Sequence, residues 1–370
     1  MKNTFGNSVA VTIYGESHGE AIGVIIDGLV PGISVDRDYI NAQLTLRRPS
    51  GRISTARQEQ DEYRIVSGVF EDRTTGTPIC IVIPNTQTRS KDYSGTRALA
   101  RPGHADYTAN CKYHGFEDYR GGGHFSGRIT AGLVAAGAIA LTALHGKGID
   151  IGTHIARCGG IADRAFLDTA SGIAADIAAV RNKTFAVLDE STEAAMREKI
   201  EQAAAEGDSI GGVLETAVTG MPAGVGEPWF DTLEGVLSHA LFSVPAVKGV
   251  QFGSAFDMVD MPGSTYNDAF RMDGDKIITE TNHNGGINGG ITNGMPILFR
   301  CAVKPTPSIY KAQQTVDFFK KENAALQIQG RHDPAIIHRA RVVVDSVTAL
   351  VMCDVLAGRF GTDWLNNDSD

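Results

Sequence analysis

The chain has 370 residues, 42% of them hydrophobic and 21% charged, a balance that excludes disordered and fibrous classes and allows a large buried core. Its formal net charge of -9 argues against a general nucleic-acid binder, which needs a basic surface to displace counterions from phosphates. The five cysteines are odd in number, widely spaced and free of any CxxC pair, so neither a disulfide framework nor a metal site is expected.

In chain order, residues 8–13 alternate as a strand and residues 21–26 form an apolar run. The two are expected to pair around Gly15-Glu16-Ser17-His18-Gly19, which puts His18 on a loop between strands. Residues 36–46 have helical spacing, with Asp36 as the cap, and lead into an arginine-rich loop. Residues 66–70 and 79–83 read as strands either side of the turn Thr74-Thr75-Gly76. From 127 to 144 small and branched apolar residues occupy every face, the mark of a helix buried all round. The apolar part of that segment, 129–144, is short for a bilayer crossing. Residues 192–206 read as an exposed helix stopped by Gly207, 211–219 as a strand, and 231–240 as a helix capped by Asp231. Residues 249–256 and 297–303 read as strands, 335–339 as the opening of a helix and 342–356 as a buried helix.

Helices and strands mix without a regular β-α-β alternation, and no fixed-period repeat or Pro/Ser-rich linker divides the chain. The class expected is α+β, with residues 1–370 as a single domain. The start of the chain enters strand-like sequence at once, without a signal-peptide pattern, so a soluble cytoplasmic protein that engages neither membrane nor nucleic acid is expected.

Cationic runs stand out against the acidic background. Arg47, Arg48, Arg52 and Arg57 have no acidic residue among them, and Arg89, Lys91, Arg97 and Arg101 are interrupted only by Asp92. Such foci suggest a small anionic ligand, a solvated surface stripe being the alternative. Two histidines sit on loops near them. His18 shares a tight turn with Ser17, and His104 lies in Arg101-Pro102-Gly103-His104-Ala105-Asp106 between a cation and a carboxylate, settings suited to proton transfer near neutral pH. Adjacent Ser and His seldom form a nucleophile system, so taken alone this turn reads first as polar side chains capping the backbone, with proton transfer by His18 as the alternative.

Arg120-Gly121-Gly122-Gly123-His124-Phe125-Ser126-Gly127-Arg128 is a glycine-rich loop entering the buried helix, a natural place for phosphate or another anionic or polar cofactor group, a plain turn being the alternative. It matches neither the Walker pattern nor the dinucleotide fingerprint. Residues 282–294 carry two Gly-Gly pairs and several amides, and Lys304-Pro305-Thr306-Pro307-Ser308 follows one strand later; together they suit a planar heteroaromatic ligand with a phosphate tail, an irregular surface loop being the equal alternative. Arg331-His332-Asp333-Pro334 adds a guanidinium, an imidazole and a carboxylate before a helix. His114, His145, His154 and His239 lie in no comparable setting. HExxH and GxSxG are absent, which leaves metal hydrolysis and acyl transfer weak.

In order, GESHG, RRP, RPGHAD, RGGGHFSGR, PAVKGV, NHNGG, KPTPS and RHDP resemble the chorismate synthase family along nearly the whole chain. The resemblance implies a sandwich with helices packed between antiparallel sheets, assembled as a homotetramer. It implies a lyase of aromatic amino-acid biosynthesis, in the shikimate pathway. The reaction converts 5-enolpyruvylshikimate 3-phosphate to chorismate by anti-1,4-elimination of phosphate and a ring hydrogen, with no net redox change. Reduced FMN is nevertheless required: it gives an electron transiently to the substrate, and its N5 takes the ring proton. Whether NADPH reduces the flavin on the protein itself, as in some members, or a separate reductase supplies it stays open.

The resemblance carries roles onto residues. His18 matches the acid beside the leaving phosphate and His104 the histidine that handles a proton at the flavin. Asp333 matches the carboxylate that assists proton removal, with Ser17 and Ser126 in the same relay. Arg47 and Arg52 match residues that hold the anionic substrate or a pyridine nucleotide, and Arg48, Arg101 and Arg128 are further candidates. For FMN it points to His124, Phe125, Ser126, Pro245, Ala246, Gly289, Lys304, Pro305, Thr306, Pro307, Ser308 and Arg331. Pro245-Ala246 otherwise reads as an ordinary turn before a strand. One departure is visible: many members continue RGGG with Arg-Ser-Ser-Ala-Arg, where this chain has His124, Phe125 and Gly127 in place of Arg, Ser and Ala. Two other functions compete, a flavin oxidoreductase acting on an anionic substrate and a non-catalytic binder of a phosphorylated metabolite.

Overall fold

Apolar residues alternate along Ala10–Gly15 and crowd Ala21–Asp27, and these strands pair antiparallel, from Ala10 opposite Asp27 to Gly15 opposite Ile22. The computed structural model describes residues 2–49, 51, 53–55, 60–86, 97–328 and 332–366. Ile79–Pro84 adds beside Ala21–Asp27, Arg64–Ser67 beside Ile79–Pro84, and Thr4–Phe5 at the far edge, giving a five-stranded antiparallel sheet. A second antiparallel sheet of five strands runs in the order Val247–Phe252, Ile297–Val303, Gly212–Thr219, Asp150–Cys158, Ile161–Ala162.

Two long helices fill the space between the sheets. Thr130–Gly146 packs on strands Ala21–Asp27 and Ile79–Pro84 and on helix Arg37–Arg47. Ile337–Phe360 lies against Thr130–Gly146 on one side and against strands Asp150–Cys158 and Gly212–Thr219 on the other. The layer order is sheet, helix, helix, sheet, the α+β sandwich expected. Small residues permit the tight helix pair: a Cβ placed on Gly137 would lie 2.2 Å from the Cβ of Ser346. Residues 127–146 are long and apolar enough to cross a membrane on length and composition, contrary to the shorter span read from sequence. However, 83% of that apolar window is buried inside the protein, where it forms the core.

Local chemistry fixes most element ends. Asp36 caps its helix by accepting the amide of Tyr39, as expected. The helix expected at 231–240 is Leu233–Leu241, and Thr232, not Asp231, caps it, its hydroxyl accepting the amide of Gly235. The strand expected at 249–256 is Val247–Phe252, ended where its pairing with Ile297–Val303 stops. The two segments expected at 335–339 and 342–356 are one helix. Its polar interruptions are satisfied from elsewhere: Asp345 pairs with Arg341 and Thr153, and Asp354 accepts the amides of Asn7, Ser8 and Val9.

Candidate active site

Both central helices begin beside a cavity of about 960 Å³, with Thr130 and Ala340 on its wall. Helix N-termini carry partial positive charge, so this end of the sandwich favours anions. The loop after Ala10–Gly15 carries Ser17 and His18 to the same place, both buried. The Ser17 amide donates to the Gly123 carbonyl at 3.1 Å and its hydroxyl donates to the Gly121 carbonyl at 3.2 Å. The same hydroxyl stands 2.9 Å from His18 Nδ1. With its single proton directed at Gly121, the hydroxyl accepts from Nδ1–H, so proton exchange between His18 and a ligand falls to Nε2.

Beside any part as the cradle read from sequence, the glycine run makes room for two side chains. Gly121, Gly122 and Gly123 all have left-handed φ, +60°, +86° and +54°. A Cβ on Gly121 would lie 2.1 Å from Cε1 of His18, and one on Gly122 3.0 Å from Cε1 of His104. The missing side chains therefore seat two imidazoles, on adjacent residues of one loop. His104 is oriented in turn by Asp106, whose Oδ1 is 3.1 Å from Nδ1. Arg101 grips the same carboxylate through Nε at 2.7 Å and Nη2 at 2.6 Å. Burial pushes the Asp106 carboxyl up, but the hydrogen bonds from Arg101 and His104 more than offset it and hold the group well below the usual carboxylate range.

A second carboxylate organises the arginines. Asp61 is buried, with φ +51°, and takes Arg47 Nη2 at 2.7 Å and Arg128 Nη1, with Arg48 Nε 3.8 Å away. Burial raises its pKa, but Arg47 and Arg128 outweigh that and keep it ionised. Three guanidiniums against one carboxylate leave net positive charge beside the cavity. Arg47 lines that cavity, and its Nε is buried without a hydrogen-bond partner among the described residues. Such a donor is costly unless a ligand meets it.

Another part of the cavity wall comes from Pro245, Ala246, Lys304, Thr306, Pro307 and Ser308, and Asp333 lines the cavity as well. Lys304 Nζ donates to the Gly103 carbonyl and so joins this wall to the His104 loop. The Thr306 hydroxyl is buried with no partner among the described residues. Asp333 is held at both oxygens, by the Thr55 amide at 2.9 Å and Arg339 Nη1 at 2.6 Å, and Arg339 Nε also donates to the Arg47 carbonyl at 2.7 Å.

The family model for chorismate synthase matches residues 9–357. The chain belongs to the chorismate synthase family. It is 46% identical to the chorismate synthase of Dehalococcoides mccartyi, over 96% of each chain. It is 42% identical to that of Thermococcus kodakarensis, over 96% of this chain and 97% of the other. A crystal structure of chorismate synthase superposes with a TM-score of 0.76 at 25% identity, covering 96% of this chain and 94% of that one. The chain is accordingly an enzyme of the lyase class.

Within this chorismate synthase fold the cavity gathers His18, Arg47, Arg101, His104, His124, Phe125, Ser126 and Arg128 with Pro245, Ala246, Lys304, Thr306, Pro307, Ser308 and Asp333. Ser17 lies one layer behind, against His18. Gly289 sits on the exposed turn of the hairpin that pairs Ile287–Asn288 with Ile291–Thr292, and it, Arg48 and Pro305 do not line the cavity. Arg52 and Arg331 lie outside the described residues, as do Arg57, Arg89 and Lys91. At the departure from the common family pattern, His124 Nδ1 donates to the Gly15 carbonyl at 2.7 Å, tying the glycine run to the His18 loop. Phe125 stacks edge-on with Tyr113 and adds apolar lining. Sequence reasoning missed Asp61, Asn85, Tyr113 and Arg339. Asp61 is flanked by Gln60 and Glu62, and an acid in polar surroundings gives no sign that it is buried.

Proposed function

We propose that this chain catalyses the anti-1,4-elimination of phosphate from 5-enolpyruvylshikimate 3-phosphate to give chorismate, with reduced FMN bound in the same cavity. The observation that carries the reading is the pair of imidazoles seated on Gly121 and Gly122 in a cavity flanked by the Asp61-bound arginines. An elimination of this kind needs cations for an anionic substrate, an acid for a departing phosphate and a means to remove a ring proton.

Arg47, Arg101 and Arg128 supply the cations, and the N-termini of both central helices add to them. His18, with Nδ1 on Ser17, presents Nε2 as the acid for the leaving phosphate. His104, its Nδ1 on the Asp106 carboxylate, and Asp333, fixed by Arg339 and Thr55, manage the proton that leaves the ring.

The residues fit a flavin. Phe125, Val244, Pro245 and Ile336 form an apolar lining for a planar ring, while Ser126, Lys304, the orphaned Thr306 hydroxyl and Ser308 offer donors to its polar edge and phosphate tail. When bound in reduced form, the cofactor supplies electron density to the allylic system and a basic ring nitrogen.

Anaerobic reconstitution with photoreduced FMN and substrate tests the reading. Phosphate released stoichiometrically with chorismate, and no net flavin oxidation, supports the elimination. Net flavin oxidation by substrate would make the chain an oxidoreductase, and tight binding without turnover a metabolite binder. Repeating the assay with oxidised FMN and NADPH, and no added reductase, tells whether the chain reduces its own flavin.

A further inference from the structure

The loop that carries His18 is held from two sides. On one side Gly121 and Gly123 take the hydroxyl and amide of Ser17. On the other stands Asn85, just past the end of strand Ile79–Pro84, and both hydrogens of its side-chain amide are directed at this task. Its Nδ2 donates to the Glu16 carbonyl at 2.9 Å and to the Gly19 carbonyl at 3.0 Å, so one amide brackets the turn around Ser17 and His18. Its backbone amide donates to the Glu20 carbonyl at 3.0 Å, fixing the loop's exit. Its Oδ1 accepts Arg128 Nε at 3.1 Å, and Arg128 is the guanidinium that meets Asp61, which in turn holds Arg47.

We infer that Asn85 is a positioning residue for His18, setting the imidazole at a fixed distance from the arginine cluster through Arg128 and Asp61. The inference rests on the proposed role of His18 as the acid. A proton donor and the anion it serves must be in register to within a fraction of an ångström. The loop 16–19 is a turn without a sheet partner of its own, so local hydrogen bonds have to supply that register. Glu16 O also accepts the Gly19 amide, so loss of Asn85 leaves one backbone hydrogen bond to close the turn. Nothing about Asn85 would touch the apolar lining at Phe125 and Pro245, on the proposed flavin side.

The test is a double-mutant comparison on the full-length enzyme with photoreduced FMN. Asn85→Ala is expected to lower kcat about ten- to a hundred-fold, a part of the hundred- to ten-thousand-fold that proton transfer contributes, with KM and FMN affinity within about three-fold of wild type. Because Asn85 acts through His18, Asn85→Ala should add nothing to His18→Ala, and the double variant should turn over as slowly as the single His18 variant. Asn85→Asp keeps the acceptor for Arg128 but faces an oxygen to the Glu16 and Gly19 carbonyls. It is expected to lose kcat as Asn85→Ala does, and it carries the comparison should removal of the whole amide unfold the chain. Wild-type kcat in both Asn85 variants, multiplicative losses in the double variant, or a parallel collapse of FMN affinity would overturn the inference. Wild-type turnover in His18→Ala is a separate result, which removes His18 as the acid and this inference with it.

Discussion

Gly121 and His18 occupy one another's space: a Cβ on the glycine would fall 2.1 Å from Cε1 and 2.2 Å from Nδ1 of the ring, and Gly121 has φ +60°. Gly121→Ala must therefore either push the ring aside or shift the loop, on top of about 1 kcal/mol of left-handed strain. We expect turnover to fall about a hundred-fold or more while FMN still binds, since the flavin's proposed contacts lie elsewhere. Gly122→Ala meets His104 at 3.0 Å, a contact that a small ring movement relieves, and should cost less. Steady-state rates and flavin titrations on both variants check the order; equal losses would mean that the run serves another purpose.

This pairing also marks how far the site was legible in the sequence. His18, His104, Asp333 and the arginines declare themselves by type and by neighbours. That Gly121 and Gly122 make room for two rings was not readable, because it depends on how the fold brings His18, far back in the chain, and His104, on a separate loop, to the same run. Asp61 and Asn85 were missed for a related reason. Their partners, Arg128 and the 16–19 loop, are brought to them by the sheet and the central helix, and no local pattern records the meeting.

Asp106 joins Arg101 to His104, and its depressed pKa keeps it a carboxylate throughout the range in which an enzyme is assayed. It favours hydrogen on His104 Nδ1, against Arg101 Nη2, a donor 3.1 Å from the same nitrogen. Asp106→Asn can present an N–H there instead, favouring the opposite tautomer. We expect kcat to fall about a hundred-fold, at the lower edge of what a general acid or base contributes, with the fold intact by circular dichroism. A variant with wild-type kcat would show that His104 needs no partner.

Thr153 and His154 are neighbours on one strand and point to opposite faces. Thr153 bonds Asp345 in the core, whereas His154 lies under Phe166 with Nδ1 3.0 Å from Asp163 and Nε2 2.9 Å from Glu215. Burial pushes the imidazolium down, but the two carboxylates outweigh it and the pKa is raised; Asp163 and Glu215 are lowered by the same contacts, against the effect of burial. A raised histidine stabilises fully below its unfolded value of about 6.5 and loses that contribution as pH climbs through the folded value. The lowered carboxylates stabilise above about pH 4 and lose it as pH falls through their folded values. His154→Gln should cost about 3–5 kcal/mol at pH 6, as removal of one partner of a buried ion pair does. The deficit should shrink in alkaline buffer. Urea denaturation of both proteins at pH 6 and at pH 10 measures it; a pH-independent difference would mean that His154 is neutral when folded.

The fold was legible where period and composition act locally, as in the strand pair around His18 and the helix capped by Asp36. It failed where distant partners overrule the local pattern. Arg341 falls in the gap between the segments expected at 335–339 and 342–356, yet it finds the buried Asp345 and the helix continues through it. The helix Asp106–Tyr113 was hidden by the turn residues before it, and its first residue serves the site as well as the helix.

The contact between the central helices gives a last test, of stability alone. Gly137 and Ser346 meet in close contact between the two helices, with a Cβ on Gly137 only 2.5 Å from Ser346 Cα as well as 2.2 Å from its Cβ. Alanine at 137 would gain about 1 kcal/mol of helix propensity over glycine, and that gain favours the variant. Against it stands overpacking in a core that holds both helices between two sheets, where relief requires one helix to slide. Such overpacking costs about 1–3 kcal/mol and can exceed that where backbone is in the way. Because the clash involves Ser346 Cα, the steric cost should win, and Gly137→Ala should be less stable in urea by about 2 kcal/mol. Adding Ser346→Gly removes the Cβ and hydroxyl but not the Cα, so it should restore only part of the loss. A Gly137→Ala protein as stable as wild type would mean that the helices separate at little cost, and that the small residues of Thr130–Gly146 are not what sets their distance.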